Sequence, residues 1–351
     1  MTSARDVLHL GIDLGTSRSA LTSGNGVRRY VESIVGWPKD AVAARRLGVP
    51  VLFGREALNN RLALRLYRPL EKGVLKAGAG TGGLAEEFLS DTEGNHNAAR
   101  ELVRYIISLA EPRRDQKLYG VLGVPAEASV QNKKALLDIA KEYLDRVLIV
   151  SQPFAVAYGI GALDGALIVD IGAGTTDLCR MHGSLPTPED QITFPIAGDA
   201  VDEALLKKIR QRHAKAQVTI TMVKELKERS SSLVDGKDRV VGRFPVDGVP
   251  TDHDVTDEMK EACTLLVDPI VDAIRKLIAT YHPEFQDKIR QNVVLSGGGC
   301  LLPGLGRRIE EKLAPFGGGR VTSVEEPLYA GADGALRLSA DMPAEYWDKV
   351  G

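Results

Sequence analysis

The chain has 351 residues, 44% hydrophobic and 26% charged, a globular balance with length enough for two domains. A net charge of −2 and an aromatic content of 5% exclude a global basic field and a base-stacking surface, so no nucleic-acid partner is expected. Cys179, Cys263 and Cys300 lie far apart with no CxxC, which excludes a disulfide framework and a zinc site and fits a reducing cytosol.

The residues before the first apolar run are short and polar, unlike a secretory leader. No apolar run approaches the ~20 residues of a membrane helix, and no amphipathic helix opens the chain. A cytoplasmic protein without membrane insertion is expected. The six histidines show no metal-ligand spacing, and neither GxSxG nor a Walker A sequence occurs.

In chain order, alternating apolar residues predict strands over 6–14 and 19–23, with SGNG turning into a third over 27–31. The first strand ends LHLGIDLGTS, placing Asp13 just before Gly15-Thr16-Ser17. Arg18 follows, either to touch an anion or to stand in solvent. Residues 33–94 change character: SIVGWPKD, a basic Ala/Arg/Leu run, PVLFG and RPLEKGVL read as an insertion forming a small subdomain. Its Gly/Ala-rich stretch 76–83 predicts a loop. Arg45, Arg46, Arg61, Arg65 and Arg68 either line an assembly surface or decorate exposed helix faces.

Helical periodicity returns over 97–111, with Leu102, Tyr105, Ile106 and Leu109 on one face. A strand over 118–124, a helix over 129–144 and a strand over 147–150 follow. Ser151-Gln152-Pro153 then leads into a small-residue helix over 154–163. This alternation gives α/β layers.

The stretch ALIVDIGAGTTDL over 166–178 repeats the opening pattern. A buried strand runs to Asp170, Gly172-Ala173-Gly174 turns, and a second strand starts near Thr175. Small residues, hydroxyls and free N–H groups in such a turn make a nest for phosphate. Asp170 at the strand end suits a hydrated Mg²⁺, which takes few carboxylates plus water and phosphate oxygens. Two Asp–Gly turns half a chain apart suggest internal duplication, with two nests clamping one phosphate tail.

Beyond lie a strand over 192–195 and Gly198 ahead of a helix over 201–212, where its backbone could meet phosphate. A charged KELKE helix covers 219–233. A polar second insertion covers 234–254, with a short strand over 240–244. One long helix is predicted over 255–281. The strand 292–296 enters Gly297-Gly298-Gly299, a turn whose backbone a ribose or flat ring can approach. A helix over 304–313, a strand over 321–324, a helix over 327–338 and a tail packing by Tyr346 and Trp347 complete the chain.

In this order the first Asp–Gly nest, the strand ending GVP with its SQP helix start, VDIGAGTTD, LSGGG and PLYAGADGALRL resemble the five motifs of the actin/Hsp70/sugar-kinase superfamily over essentially the whole chain. RPLEKGVL and IAGDAVDEAL resemble the actin branch. SIVGWPKD, GVPAEAS, PTPEDQIT and PAEYW resemble the bacterial actins that align magnetosomes. The resemblance implies an α/β actin-like ATPase fold: two RNase H-like domains around a nucleotide cleft, in four subdomains. These would be 1–32 with 95–164, then 33–94, then 165–215 with 255–351, then 216–254.

The resemblance also implies ATP or ADP with Mg²⁺ in the cleft, head-to-tail filaments of the chain itself, and a magnetosome-associated adaptor as partner. Asp13 would hold Mg²⁺ through water, and Gly15, Thr16 and Ser17 would cradle the phosphates. Asp170 would orient Mg²⁺ and the attacking water, with Gly172, Gly174 and Thr175 on the far side. Gly297, Gly298 and Gly299 would line the ribose and adenine. Lys227 and Glu228 would meet the nucleoside, with Lys224-Glu225 as the competing register and an exposed charge run as the plain reading. Gln152 falls where the water positioner stands. Bacterial members usually carry Glu there, and Gln is a poor base, so slow hydrolysis is expected. The rivals are a cell-shape or plasmid-segregating actin and, from another class, a small-molecule kinase. A chaperone-like ATPase is disfavoured, because little chain follows the last motif.

Overall fold

The computed structural model describes residues 7–71, 74–76, 88–89, 91–126, 128–236 and 239–349. Strand β1 (Val7–Leu14) buries Leu8, Leu10, Ile12 and Leu14. It pairs antiparallel with β2 (Arg18–Ser23), which pairs with β3 (Arg28–Glu32). The next residues form a separate small sheet of β4 (Val35–Pro38), β5 (Leu52–Phe53) and β6 (Leu64–Tyr67). With it go α1 (Ala41–Leu47), α2 (Gly54–Asn59) and the two-residue pair β7 (Leu70–Glu71) and β8 (Val74–Leu75). Apart from Lys76, the stretch expected as a loop at 76–83 lies outside the described residues.

Helix α3 (Thr92–Ser108) starts where the Asp91 side chain accepts from Gly94 N, satisfying a first-turn donor. Strand β9 (Lys117–Val124), α4 (Val130–Lys141) and β10 (Arg146–Ser151) then place two parallel strands on the other edge of β1. The sheet order is β10-β9-β1-β2-β3.

Helix α5 (Gln152–Ile160) follows directly, carrying Pro153 in its first turn, where a missing N–H costs nothing. Strand β11 (Asp164–Ile171) is buried from Gly165 onward, as a central strand must be. It pairs antiparallel with β12 (Thr176–His182), and β12 with β13 (Gln191–Phe194). Helices α6 (Gly198–Arg212) and α7 (Ile220–Ser230) precede a hairpin of β14 (Val241–Val246) and β15 (Val249–Asp254). Then come α8 (Thr256–Thr264), α9 (Val267–Ala279), α10 (Pro283–Arg290), β16 (Val293–Ser296) and α11 (Leu305–Leu313). Strand β17 (Val321–Ser323), α12 (Ala330–Asp341) and α13 (Ala344–Trp347) end the chain.

The second sheet runs β13-β12-β11-β16-β17. In both sheets therefore the central strand opens a three-strand antiparallel meander on one side and has two strands parallel to it on the other. This is the duplication that the paired Asp–Gly turns suggest. One core packs β1 against α3 and α4, and another packs β11 and β16 against α6, α8, α9 and α11.

Two helices change sides at the cleft floor. Helix α5 follows the first sheet but packs on β11 and β12, while α12 packs back on β1 and β9. They cross nearly backbone to backbone: a Cβ at Gly334 would lie 1.7 Å from the Ala155 carbonyl oxygen. Any side chain there would force the two halves apart.

Three expectations differ from the structure. The long helix over 255–281 is two helices, because Pro269 has no N–H to donate to the Leu265 carbonyl and so sits in the first turn of a new helix. Helix α10 begins at Pro283, a start signal the sequence reading passed over. In the tail only Trp347 packs, at 1% exposure, while Tyr346 is 55% exposed. Neighbours on a single helical turn point about 100° apart, so one faces out.

Candidate functional site

The ends of β1 and β11 open onto one cleft of about 370 Å³ between the two sheets. The residues first assigned above to nucleotide, metal and water all line it: Asp13, Gly15, Thr16, Ser17, Gln152, Asp170, Gly172, Gly174, Thr175, Gly198, Lys227, Glu228, Gly297, Gly298 and Gly299. The reading of the sequence passed over Asp199, Asp202 and an apolar end that includes Cys263, Leu266, Leu302 and Leu328, and held Lys224 only as an alternative to Lys227. Asp199 was visible beside Gly198, and Asp202 stands one helical turn beyond it.

The two turns are held from behind. The Gly15 carbonyl accepts from Ser33 Oγ at 2.6 Å, Thr16 O from Arg68 Nε at 2.9 Å, and Ser17 O from Ser33 N at 2.9 Å. In trans peptides, carbonyls turned away send the N–H groups of Thr16 and Ser17 to the opposite side, toward the cleft. The second turn repeats the device. Gly172 O accepts from Gly198 N at 3.1 Å and Ala173 O from Asp199 N at 2.8 Å, which turns the N–H groups of Ala173 and Gly174 away from α6. The first donors of α6 are thus spent on this turn.

One buried carboxylate, Asp170, and one half-buried, Asp13, face the cleft. The pKa of Asp13 is raised to about 6, first by burial and further by the Asp177 charge, against the Gln152 hydrogen bond. That of Asp170 is raised to about 7 by burial and by Asp13, against Ser296. Ser296 Oγ donates to Asp170 Oδ1 at 2.6 Å from the neighbouring parallel strand. Gln152 Nε2 donates to Asp13 Oδ1 at 2.6 Å. With the N–H end committed, the amide oxygen of Gln152 is the end able to accept from a water. Gly297 must lack a side chain, since its φ is +72° and a Cβ would lie 2.9 Å from Asp170 Oδ1.

A site with two hard oxygen donors, both pushed toward protonation, is short of positive charge. That donor set fits a divalent cation shared with phosphate oxygens and water. Among the described residues no cluster of three or more His, Cys, Asp or Glu side chains is placed to hold a metal by itself.

The opposite wall comes from α7. Lys227 Nζ bonds Gly198 O at 2.8 Å and pairs with buried Asp202 at 2.7 Å. Burial raises the Asp202 pKa to about 6, against the pull of Lys227. Lys224 Nζ reaches across to Ser17 Oγ, and burial lowers its pKa. Both lysines of the competing registers thus enter the cleft. Of their acidic neighbours Glu228 lines the cleft, while Glu225 faces Arg55 outside it at 3.6 Å. Arg18 neither floats free nor points outward: its Nη2 bonds Glu228 at 2.8 Å. Arg45, Arg46, Arg61 and Arg65 are exposed, whereas Arg68 is half-buried.

A cleft of this shape between duplicated sheets has relatives. Residues 7–345 match the MreB/Mbl protein family. The actin-like protein MamK of Paramagnetospirillum magneticum (strain ATCC 700264 / AMB-1) is 39% identical over 99% of this chain and 96% of its own length. Among solved structures, a MamK double helical filament superposes with a TM-score of 0.89 at 39% identity, over 96% of this chain and 99% of that one. A non-polymerising MamK mutant bound to AMPPNP superposes with a TM-score of 0.70 at 40% identity, with the same coverage. The expected actin-like fold is therefore the observed one. Matched along nearly its whole length, the chain belongs to the MreB/Mbl family of actin-like proteins.

Proposed function

We propose that this protein is a filament-forming cytoskeletal ATPase. The carrying observation is the pair of Asp–Gly turns, each anchored by its carbonyls and both lining one cleft. Such opposed nests suit a nucleoside polyphosphate, and the apolar end suits a base. Thr16, Ser17, Gly172, Gly174 and Thr175 would hold the phosphates, and Gly297, Gly298 and Gly299 the sugar and ring. Asp13 and Asp170 would hold Mg²⁺. When bound, the ion would neutralise phosphate charge.

Phosphoryl transfer to water needs positioning more than covalent chemistry. Gln152 would align the water through its amide oxygen, and Asp170 would orient it from the other wall. Without a base at position 152, cleavage is slow.

Assembly rests on kinship. The likeness is greater to the filament subunit than to the non-polymerising mutant, 0.89 against 0.70 at nearly equal identity. That supports a chain whose two halves stand as they do in a filament. The two five-stranded sheets and the two small sheet groups support the four-subdomain division given above. Kinship with MamK extends the proposal to positioning magnetosome chains from the cytoplasm through an adaptor. No helix among the described residues is long and apolar enough to cross a membrane.

The test is pelleting and negative-stain imaging with ATP, ADP and no nucleotide, with phosphate release followed in the same tubes. ATP-dependent filaments with slow phosphate release are expected. No filaments, with phosphate transfer only on adding a small acceptor, would replace this reading with a kinase.

A further inference from the structure

One guanidinium touches the first turn and the residue that holds the second. Arg68 follows β6, outside both large sheets, yet its Nε donates to Thr16 O at 2.9 Å and its Nη2 to Asp199 Oδ2 at 2.9 Å and Oδ1 at 3.2 Å. Asp199 is no bystander, because its own N–H holds Ala173 O at 2.8 Å in the second turn. The pair is sheltered, with side chains 13% and 17% exposed. Arg68 itself lines a smaller cavity of about 70 Å³ behind the cleft wall, while Asp199 faces both spaces.

We propose that Arg68 is a positioning residue of the nucleotide site, clamping the two phosphate turns together and neutralising the Asp199 carboxylate where the phosphate tail lies. This rests on the nucleotide reading above. Two consequences separate it from simple structural support. Losing the clamp lets the turns part, so any nucleotide leaves faster. Losing only the cation leaves the Asp199 charge facing the phosphates, and this repels a triphosphate more than a diphosphate. A cation held by two charge-assisted contacts is a strong local link, and hydrogen bonds to charged groups carry effects of about tenfold or more in equilibrium terms.

The experiment uses the full chain with Mg²⁺ and fluorescent, non-hydrolysable ATP and ADP analogues, reading affinity and release rate by stopped flow. Arg68→Ala should speed release of both about tenfold or more and weaken the triphosphate more than the diphosphate. Asp199→Asn should speed release of both and weaken the triphosphate no more than the diphosphate. The double variant Arg68→Ala/Asp199→Asn should bind the triphosphate better than Arg68→Ala alone, and Arg68→Lys should lose less than Arg68→Ala. Wild-type release from Arg68→Ala, or independent losses that multiply in the double variant, would overturn the inference. Should Arg68→Ala not fold, Asp199→Asn and Arg68→Lys still decide: wild-type release from both overturns it. If the wild-type chain binds neither analogue, the nucleotide reading fails, and this inference with it.

Discussion

Gln152→Glu tests the site most directly. It puts a carboxylate where an amide N–H now meets Asp13 Oδ1 at 2.6 Å. Asp13 is already pushed up to about 6 by burial, and the Gln152 hydrogen bond is what restrains it. At an effective dielectric of about 20, two unit charges ~4 Å apart repel by about 4 kcal/mol, equivalent to about three pKa units. Without a cation the new pair should hold one proton at neutral pH and titrate as a pair. A divalent cation offsets that repulsion, so the Mg²⁺ requirement of the variant should become steeper as pH falls. With both groups ionised, the new carboxylate can take a proton from the water, which the amide cannot. General-base assistance contributes about 10²–10⁴ in well-aligned sites. Allowing for imperfect alignment, the expected gain is about tenfold. The assay is single-turnover phosphate cleavage with preloaded ATP, varied over pH and Mg²⁺. A rate no higher than wild type at saturating Mg²⁺ and alkaline pH would refute the claim that the missing base limits cleavage.

Three further outcomes are expected. Asp170→Ala should lower ATP turnover about a hundredfold or more while the chain stays folded, because it removes a carboxylate whose burial disfavours its charge; wild-type turnover would sink the role given to Asp170. Asp190 resists the pull of burial because Thr187, His182 and Arg180 hydrogen-bond its charge, holding its pKa down to about 2. A depressed carboxyl pKa adds stability that is complete above the unfolded value near 4 and is lost as pH falls toward 2, about 2 kcal/mol in all. Asp190→Ala should abolish that acid step and cost about 3–5 kcal/mol at neutral pH, since Arg180 stays buried without its partner; urea melts across pH would show it, and an unchanged acid limb would count against it. Trp347→Ala should cost about 3–5 kcal/mol, because the indole is 1% exposed against Tyr119, at 5.1 Å between ring centres, and closes the core under α12; the same change at Tyr346 should leave the melt where it is.

The turns were legible because their signals are local. An apolar run, an Asp and a glycine turn fix one strand end each, and Gly297 announces a positive φ by its identity. Two copies then imply a shared cleft. What surrounds the turns was not legible, because it depends on register between distant strands. Ser296 meets Asp170 only through the parallel pairing of β16 with β11, 126 residues apart. Nothing near Arg68 in sequence says that it turns inward while Arg65, three residues earlier, stays exposed. In the KELKE run, residues one turn apart on α7 share a face, so Lys224 and Lys227 both reach the cleft and the two registers do not exclude each other.

The same contacts say how firmly the cleft is shut. Arg18–Glu228 is 31% and 38% exposed, and Arg55–Glu225 is 57% and 62% exposed. Pairs so open to water contribute about 0–1 kcal/mol each and fade with salt. Arg68–Asp199 is sheltered, with both carboxylate oxygens on Nη2, and Lys224 reaches Ser17 from a half-buried position, so these two resist screening. Closure therefore depends on two contacts, both ending on residues of the phosphate turns or beside them. The closeness of the two turns and the occupancy of the cleft are then one equilibrium. A ligand that draws the two turns together favours the closed form by as much as it binds that form better, and no more.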